Sequence, residues 1–218
     1  MDKNITYHTV LEALKNAGEC PLCHLEAEAV YAYFDSILYE SVNDPKLRAD
    51  LVRSRGYCHR HAHILPDMRD NLGIAIIYQD QLQLFKELFA KKALVGERAS
   101  EKSDKYICPT CRSQLEARQR YLAILMEGLA TLPEIKAAYE TSPGFCTPHL
   151  GILLETVKDP EVLSYLYAVE GRNLAALIDE IREFIRKNDY RFSHEPFGKE
   201  RDSWHRAIKK LTGNKIVF

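Results

Sequence analysis

Apolar residues recur at helical spacing along most of this 218-residue chain. Alternation of apolar and polar residues, the mark of a half-buried strand, never persists. The fold class expected from this pattern is all-α. The pattern predicts helices over residues 6–17, 22–42, 46–55, 58–65, 67–95, 109–129, 133–140, 148–157 and 161–187, and a last short helix from Asp202-Ser203 through Lys210.

The sequence repeats itself at an offset of 88 residues. At this offset CPLC (residues 20–23) aligns with CPTC (108–111), and GYCHRH (56–61) aligns with GFCTPH (144–149), without a gap. Over the 46 aligned positions from residue 20 to residue 65 there are 14 identities, against about 3 expected by chance from average composition. The chain is therefore interpreted as a tandem duplication of one helical domain.

The duplication predicts three segments along the chain, with a linker between the first two. Residues 1–96 form the first repeat and residues 106–188 the second. The polar stretch GERASEKSDK, residues 96–105, is the expected linker. Residues 189–218 lie outside the repeat and are called the C-terminal tail.

All six cysteines lie in the repeated motifs, three in each copy, and only one histidine of each motif region is shared. Three cysteines and one histidine complete the tetrahedral ligand set of a structural zinc ion. The sequence thus predicts two Cys3His sites and two zinc ions per chain. The predicted ligands are Cys20, Cys23, Cys58 and His61 in the first copy and Cys108, Cys111, Cys146 and His149 in the second.

Other chemistry is also compatible with the cysteine motifs. CPLCH at residues 20–24 matches a haem-attachment motif, but Arg112 replaces His24 in the second copy. An iron–sulfur cluster is the alternative cofactor. A redox dithiol normally follows a strand, and the flanks here are helical. Pairing of the ligand pairs within each copy is the favoured arrangement, and a swapped arrangement joining Cys20 and Cys23 to Cys146 and His149 stays open.

Charge and hydropathy narrow the class of protein. Lys and Arg total 30 against 31 Asp and Glu, and a net charge of -1 makes nucleic acid an unlikely partner. The start MDKNITYHTVLEAL lacks the features of a signal peptide, and the longest apolar run, residues 72–78, is far shorter than a bilayer span. A soluble cytoplasmic protein with reduced thiols and no membrane association is expected.

The C-terminal tail changes the charge balance locally. From Arg186 onward the chain holds nine Lys or Arg against four Asp or Glu, together with its only tryptophan, Trp204. A protein partner or an anionic ligand at the tail is one interpretation. The favoured interpretation is that the tail packs back on the helices, with its aromatic residues as anchors and its basic groups solvated.

The tandem C-P-x-C and G-[YF]-C-x-x-H motifs, followed by DYRF, EP and DSW within residues 189–204, resemble an uncharacterised bacterial family of unknown function. The resemblance covers nearly the whole chain. It implies a bacterial origin and paired sites, and no activity.

Three functions are compatible with these observations. The favoured one is a non-enzymatic zinc-binding helical scaffold or partner-binding and regulatory module. The second is an iron–sulfur or redox-active protein that uses the same residues. The third is a helical enzyme with a pocket between the repeats, for which no phosphate-binding loop, H-E-x-x-H or G-x-S-x-G motif is found.

Overall fold

A computed structural model describes residues 5–91, 107–192 and 194–218 of the chain. Within these ranges all regular secondary structure is helical, which confirms the all-α class. The α-helices of the described residues are α1 Ile5–Asn16, α2 Pro21–Ser36, α3 Pro45–Ser54, α4 His59–Ala62, α5 Asn71–Ala90, α6 Pro109–Thr131, α7 Pro133–Thr141, α8 Thr147–Thr156, α9 Pro160–Lys187 and α10 Ser203–Thr212.

The predicted helices are found in order, with three differences at their bounds. The helix expected over 58–65 is α-helical only over His59–Ala62. The helix expected over 22–42 is α-helical to Ser36 and continues as a π-helical segment, Ile37–Ser41. The helix expected to begin at residue 67 begins at Asn71, because a 3-10 turn over Leu65–Met68 ends at the left-handed Arg69. Asp70 then caps α5 by accepting a hydrogen bond from the Gly73 backbone N–H. The expected linker, residues 96–105, and residues 92–95 of the predicted helix lie outside the described residues.

The chain divides into two compact units. Unit 1 consists of Met1–Ala27 and Arg118–Phe218, and unit 2 of Glu28–Ala117. These bounds differ from the sequential division into residues 1–96, 106–188 and 189–218, since each boundary between the units falls inside a helix, α2 or α6. The tandem duplication itself stays a prediction from the sequence.

Unit 1 is built on a continuous hydrophobic core. Helix α1 packs on α7, where the Tyr7 hydroxyl donates a hydrogen bond to the Glu134 carboxylate. The core takes residues from α1, the start of α2, α6, α7, α8 and α9. Its largest fully buried members are Tyr7, Leu14, Leu22, Leu25, Leu125, Leu129, Tyr139 and Phe145.

Among the residues that the structure describes, unit 2 buries a smaller set of apolar side chains than unit 1. Helix α3 is capped by Asp44, which accepts hydrogen bonds from the backbone N–H groups of Lys46 and Leu47. Pro45 at its first position suits a helix start. The buried apolar residues of unit 2 include Val30, Phe34, Leu47, Leu51, Leu65 and Ile77.

A search for membrane-spanning segments among the described helices finds none with the length and apolar character that a bilayer requires.

Candidate metal centres

The structure gathers the eight predicted ligand residues into two clusters of four, one in each unit. In each cluster the four ligand atoms all lie within 4.8 Å of one another. The unit-1 cluster consists of Cys20, Cys23, Cys146 and His149, and the unit-2 cluster of Cys58, His61, Cys108 and Cys111. Each cluster thus combines the C-P-x-C pair of one copy with the C-x-x-H pair of the other.

The favoured pairing within each copy is therefore wrong, and the swapped arrangement is the one observed. Packing around the first cysteine pair explains why. Leu22 and Leu25, on either side of Cys23, are buried in the same hydrophobic core as Phe145 and Leu153. The start of α2 consequently lies against α8 in unit 1, where it meets Cys146 and His149.

All four ligand pairs occupy the same local position, at the start of a helix. Cys58 and Cys146 are the N-cap residues of α4 and α8. Cys20 and Cys108 come directly before the prolines that open α2 and α6, and their carbonyls accept the first helical hydrogen bonds. The second ligand of each pair follows three residues later, in the first turn. The positive end of the helix dipole and the free N–H groups there stabilise thiolate charge.

A glycine two residues before each N-cap cysteine shapes the approach to α4 and α8. Gly144 has φ +74°, and a Cβ there would lie 2.5 Å from a carboxylate oxygen of Glu170. The Phe145 backbone N–H donates to this carboxylate at 2.7 Å. Gly56 has φ +92° in the equivalent position of unit 2. These contacts explain the glycine of the G-[YF]-C motif, since other residues rarely adopt positive φ.

The distances in the unit-1 cluster fit a single tetrahedral ion. Nδ1 of His149 lies 3.3 Å from the Sγ atoms of Cys20 and Cys146 and 3.4 Å from that of Cys23. The Sγ atoms of Cys23 and Cys146 are 3.5 Å apart. Tetrahedral zinc, with Zn–S of about 2.3 Å and Zn–N of about 2.0 Å, places two sulfurs about 3.8 Å apart and a sulfur and a nitrogen about 3.5 Å apart.

The unit-2 cluster has the same geometry. Nδ1 of His61 lies 3.3 Å from the Sγ atoms of Cys58 and Cys111 and 3.6 Å from that of Cys108. The Sγ atoms of Cys58 and Cys111 are 3.7 Å apart. A disulfide would bring two sulfurs to about 2.05 Å, and all six cysteines are free. Both clusters therefore offer thiol groups and one imidazole nitrogen to a common centre.

Crowded sulfurs also favour a cation at that centre. Hydrogen bonds with Cys20 and Cys23 lower the pKa of Cys146 to about 4, whereas hydrogen bonds with Cys146 and Cys20 raise the pKa of Cys23 above its usual value. Ionisation of the Cys146 thiol thus opposes ionisation of the Cys23 thiol when no positive charge lies between them. A divalent ion removes that conflict and lets all three thiols ionise.

A buried carboxylate orients the histidine of the unit-1 cluster. His149 Nε2 donates to Glu26 Oε1 at 2.8 Å, so that Nδ1 faces the sulfurs as a neutral ligand. Arg118 donates to both carboxylate oxygens of Glu26, at 2.6 and 2.8 Å, and neutralises this fully buried charge. Burial alone would lower the pKa of His149, and the contacts with Cys20 and Glu26 raise it instead. Such outer contacts fix the tautomer of metal-binding histidines.

The C-terminal tail covers the unit-1 cluster. The Asn214 backbone N–H donates to Cys23 Sγ at 3.4 Å. The Phe218 ring packs on His149, with ring centroids 4.8 Å apart, and the Arg118 guanidinium lies over the same ring. These contacts could not be predicted from the sequence, because nothing in the tail marks a residue that acts through its backbone or ring face.

The tail packs on unit 1 as expected, with Phe218 as one aromatic anchor, but its basic groups are not simply solvated. Helix α10 pairs its basic side chains with carboxylates, whereas Trp204 is 53% exposed. The pairs of α10 are Arg206–Glu180, Lys209–Glu19 and Lys210–Glu170. Binding of a protein or anionic partner by the tail stays a prediction.

The unit-2 cluster is surrounded differently. Gln114 occupies the position that Glu26 has in the first copy, and it accepts a hydrogen bond from Arg60 at 3.1 Å. Nε2 of His61 is buried without a hydrogen-bond partner among the described residues. Cys58 and Cys111 are half-buried, whereas every ligand of the unit-1 cluster is buried. The sequence signal available for these outer contacts was a polar residue, Glu26 or Gln114, three positions after each C-P-x-C pair. Both side chains are buried in the structure.

Glu26→Gln is expected to lower the metal affinity of the unit-1 cluster by about 10- to 100-fold, the usual effect of removing an outer carboxylate. The change keeps the side-chain shape and leaves the Arg118 charge unpaired. Competition with a chromophoric chelator measures the affinity. Glu28→Gln, an exposed change on the same helix, is the matched control. Equal affinities for both variants would contradict the role of Glu26.

Comparison with known proteins places the chain in a family but assigns no activity. An uncharacterised 23.9 kDa protein in the xynA 3' region of Caldicellulosiruptor sp. (strain Rt8B.4) is 31% identical over 197 residues, which cover 90% of this chain and 96% of that protein. No solved structure matches the chain significantly. A family of unknown function, DUF6062, matches residues 1–217. The resemblance that the paired motifs suggested is thereby confirmed, and the chain belongs to the DUF6062 family.

Proposed function

We propose that each Cys3His cluster holds one zinc ion and that the protein is a zinc-stabilised helical scaffold. The observation that carries this proposal is the convergence of three sulfurs and one imidazole nitrogen within 4.8 Å in each unit. Thiolate and imidazole ligands in a tetrahedron are the donor set that zinc prefers.

The short distances between the ligand atoms, at most 4.8 Å in each cluster, favour a single ion over an iron–sulfur cluster. In a [4Fe–4S] cluster each iron takes one protein ligand, so the ligand atoms surround four irons and their sulfides. They are then farther apart than ligands on one ion. Several ligand atoms of each cluster are only 3.3–3.7 Å apart and all lie within 4.8 Å of one another, which leaves room for one metal at the centre.

Full coordination by protein atoms favours a structural role. Catalytic zinc sites keep one position open for water or substrate, whereas four protein ligands fill the tetrahedron. Each ion would join the starts of two helices that are distant in sequence, since 123 positions separate Cys23 from Cys146 and 53 separate Cys58 from Cys111. Thiolate ligands need reducing conditions, which supports a cytoplasmic location and a scaffold or partner-binding role there.

Elemental analysis and an absorption spectrum of protein purified without oxygen test this proposal. Two zinc ions per chain and no visible absorption are expected from the two ligand sets. Iron together with broad visible absorption would contradict zinc binding and support the iron–sulfur alternative. A chain that holds neither metal after purification, and takes up no zinc when reduced, would refute metal binding at the clusters.

A further inference from the structure

Two exposed histidines flank the ligand His61 on the shortest α-helix, α4. His59 opens the helix and His63 is its C-cap. The His63 backbone N–H donates to the His59 carbonyl at 3.2 Å, so the two residues stand one helical turn apart. Both side chains are exposed, and their ring centroids are 4.5 Å apart. Two imidazoles therefore meet on the solvent side of the helix that carries Cys58 and His61.

This spacing suits joint binding of one metal ion. Histidines at positions i and i+4 on one helical face are an established zinc-binding arrangement. With a metal–nitrogen distance of about 2.1 Å, the metal lies about 3.2 Å from the centre of an imidazole ring, so two rings at 90–110° have centroids about 4.5–5.2 Å apart. The observed 4.5 Å lies at the lower end of that range.

The position of the pair relates it to the unit-2 cluster. His59 directly follows the ligand Cys58, which is half-buried. The second copy has Thr147 and Gly151 at the corresponding positions, and the ligands there are buried beneath the C-terminal tail. The exposed histidines thus accompany the cluster in which two cysteine residues, Cys58 and Cys111, are only half-buried.

We propose that His59 and His63 form a third metal site, which binds an exchangeable divalent transition ion such as Zn²⁺ and passes it to the unit-2 cluster. The delivery role rests on the proposed zinc binding by that cluster. Two protein ligands hold zinc more weakly than three thiolates and an imidazole, because water fills the remaining positions. Transfer to the cluster is therefore favourable in free energy, and the thiol protons go to solvent as the ion is bound.

Zinc titration of the zinc-loaded chain tests the third site. We expect a third, weaker equivalent that shifts the imidazole NMR signals of His59 and His63. The double variant His59→Ala/His63→Ala should lose this equivalent and keep the two tight ions. His205→Ala, which removes an exposed histidine without a histidine four positions away, should keep all three. Absence of the third equivalent from the wild type, or its persistence in the double variant, would overturn the site.

Exchange of bound zinc with isotopically enriched zinc, followed by native mass spectrometry, tests delivery. By microscopic reversibility, a site that delivers the ion also speeds its exchange. One of the two tight ions should exchange quickly in the wild type and several-fold more slowly in His59→Ala/His63→Ala. Cys58→Ser assigns the fast ion by removing it. An unchanged exchange rate overturns delivery, whereas absence of tight zinc from the wild type refutes the proposed function and leaves the histidine titration to decide the third site.

Discussion

Cys146→Ser is expected to remove one zinc ion per chain and to destabilise unit 1 by several kcal/mol. The ion would join the start of α2 to the start of α8 across 123 positions of sequence. A covalent cross-link over a loop of this length contributes about 4–5 kcal/mol in the chain-entropy description. Zinc binding in small structural sites supplies on the order of 10 kcal/mol of folding free energy. Either magnitude is comparable to the whole stability of a typical domain.

Trp204 makes this effect measurable in unit 1. It is the only tryptophan of the chain and lies on α10, which packs on α8 and α9. Denaturant unfolding followed by its fluorescence should show a much lower midpoint for Cys146→Ser than for the wild type. Thr156→Ala is the matched control, because this exposed hydroxyl at the end of α8 bonds only within its own helix, to Ile152. A zinc-loaded Cys146→Ser chain with the wild-type midpoint would refute Cys146 as a structural ligand.

Local sequence predicted the starts of α3 and α9 because each carries its own start signal. Asp44-Pro45 and Asp159-Pro160 place a capping carboxylate and a proline at the starts of α3 and α9, and both aspartates accept backbone hydrogen bonds. A proline at the first helical position also marks the starts of α2 and α6, directly after Cys20 and Cys108. The ligand residues themselves followed from their repetition at an offset of 88 residues.

The pairing of the ligand pairs could not be predicted in this way. Each pair occupies the same position at a helix start in both copies, so the two C-P-x-C pairs offer equivalent local geometry. What distinguishes them is tertiary packing, such as the burial of Leu22 and Leu25 with Phe145 and Leu153. Apolar residues at these positions are compatible with either arrangement, and the choice depends on the whole core.

The contacts of the C-terminal tail could not be predicted from local sequence either. Its cations suggested a solvated basic surface, yet Lys210 donates to Glu170 at 2.6 Å and the two side chains are only 10% and 3% exposed. Glu170 also accepts hydrogen bonds from the Tyr139 hydroxyl and the Phe145 backbone N–H. Phe145 directly precedes Cys146 of the unit-1 cluster. Such a network depends on residues that are far apart in sequence, so charge counting within the tail does not reveal it.

Zinc counts of two double variants are expected to decide the ligand pairing outright. Cys20 and Cys146 belong to one cluster, so Cys20→Ser/Cys146→Ser should empty that cluster and keep one zinc ion in unit 2. Cys20 and Cys58 belong to different clusters, so Cys20→Ser/Cys58→Ser should lose both ions. Pairing within each sequence copy requires the opposite result, because Cys20 and Cys58 would then share a site.

Each double variant is therefore the control of the other: both remove two thiols, and both remove Cys20. Metal content is measured on reduced protein after exchange into metal-free buffer. Native mass spectrometry reads the count per folded chain, which keeps the comparison valid if one variant expresses poorly. One zinc ion in Cys20→Ser/Cys58→Ser and none in Cys20→Ser/Cys146→Ser would refute the swapped clusters. The reverse result would show that each ion joins segments from both sequence copies, so that neither copy can complete its metal site alone.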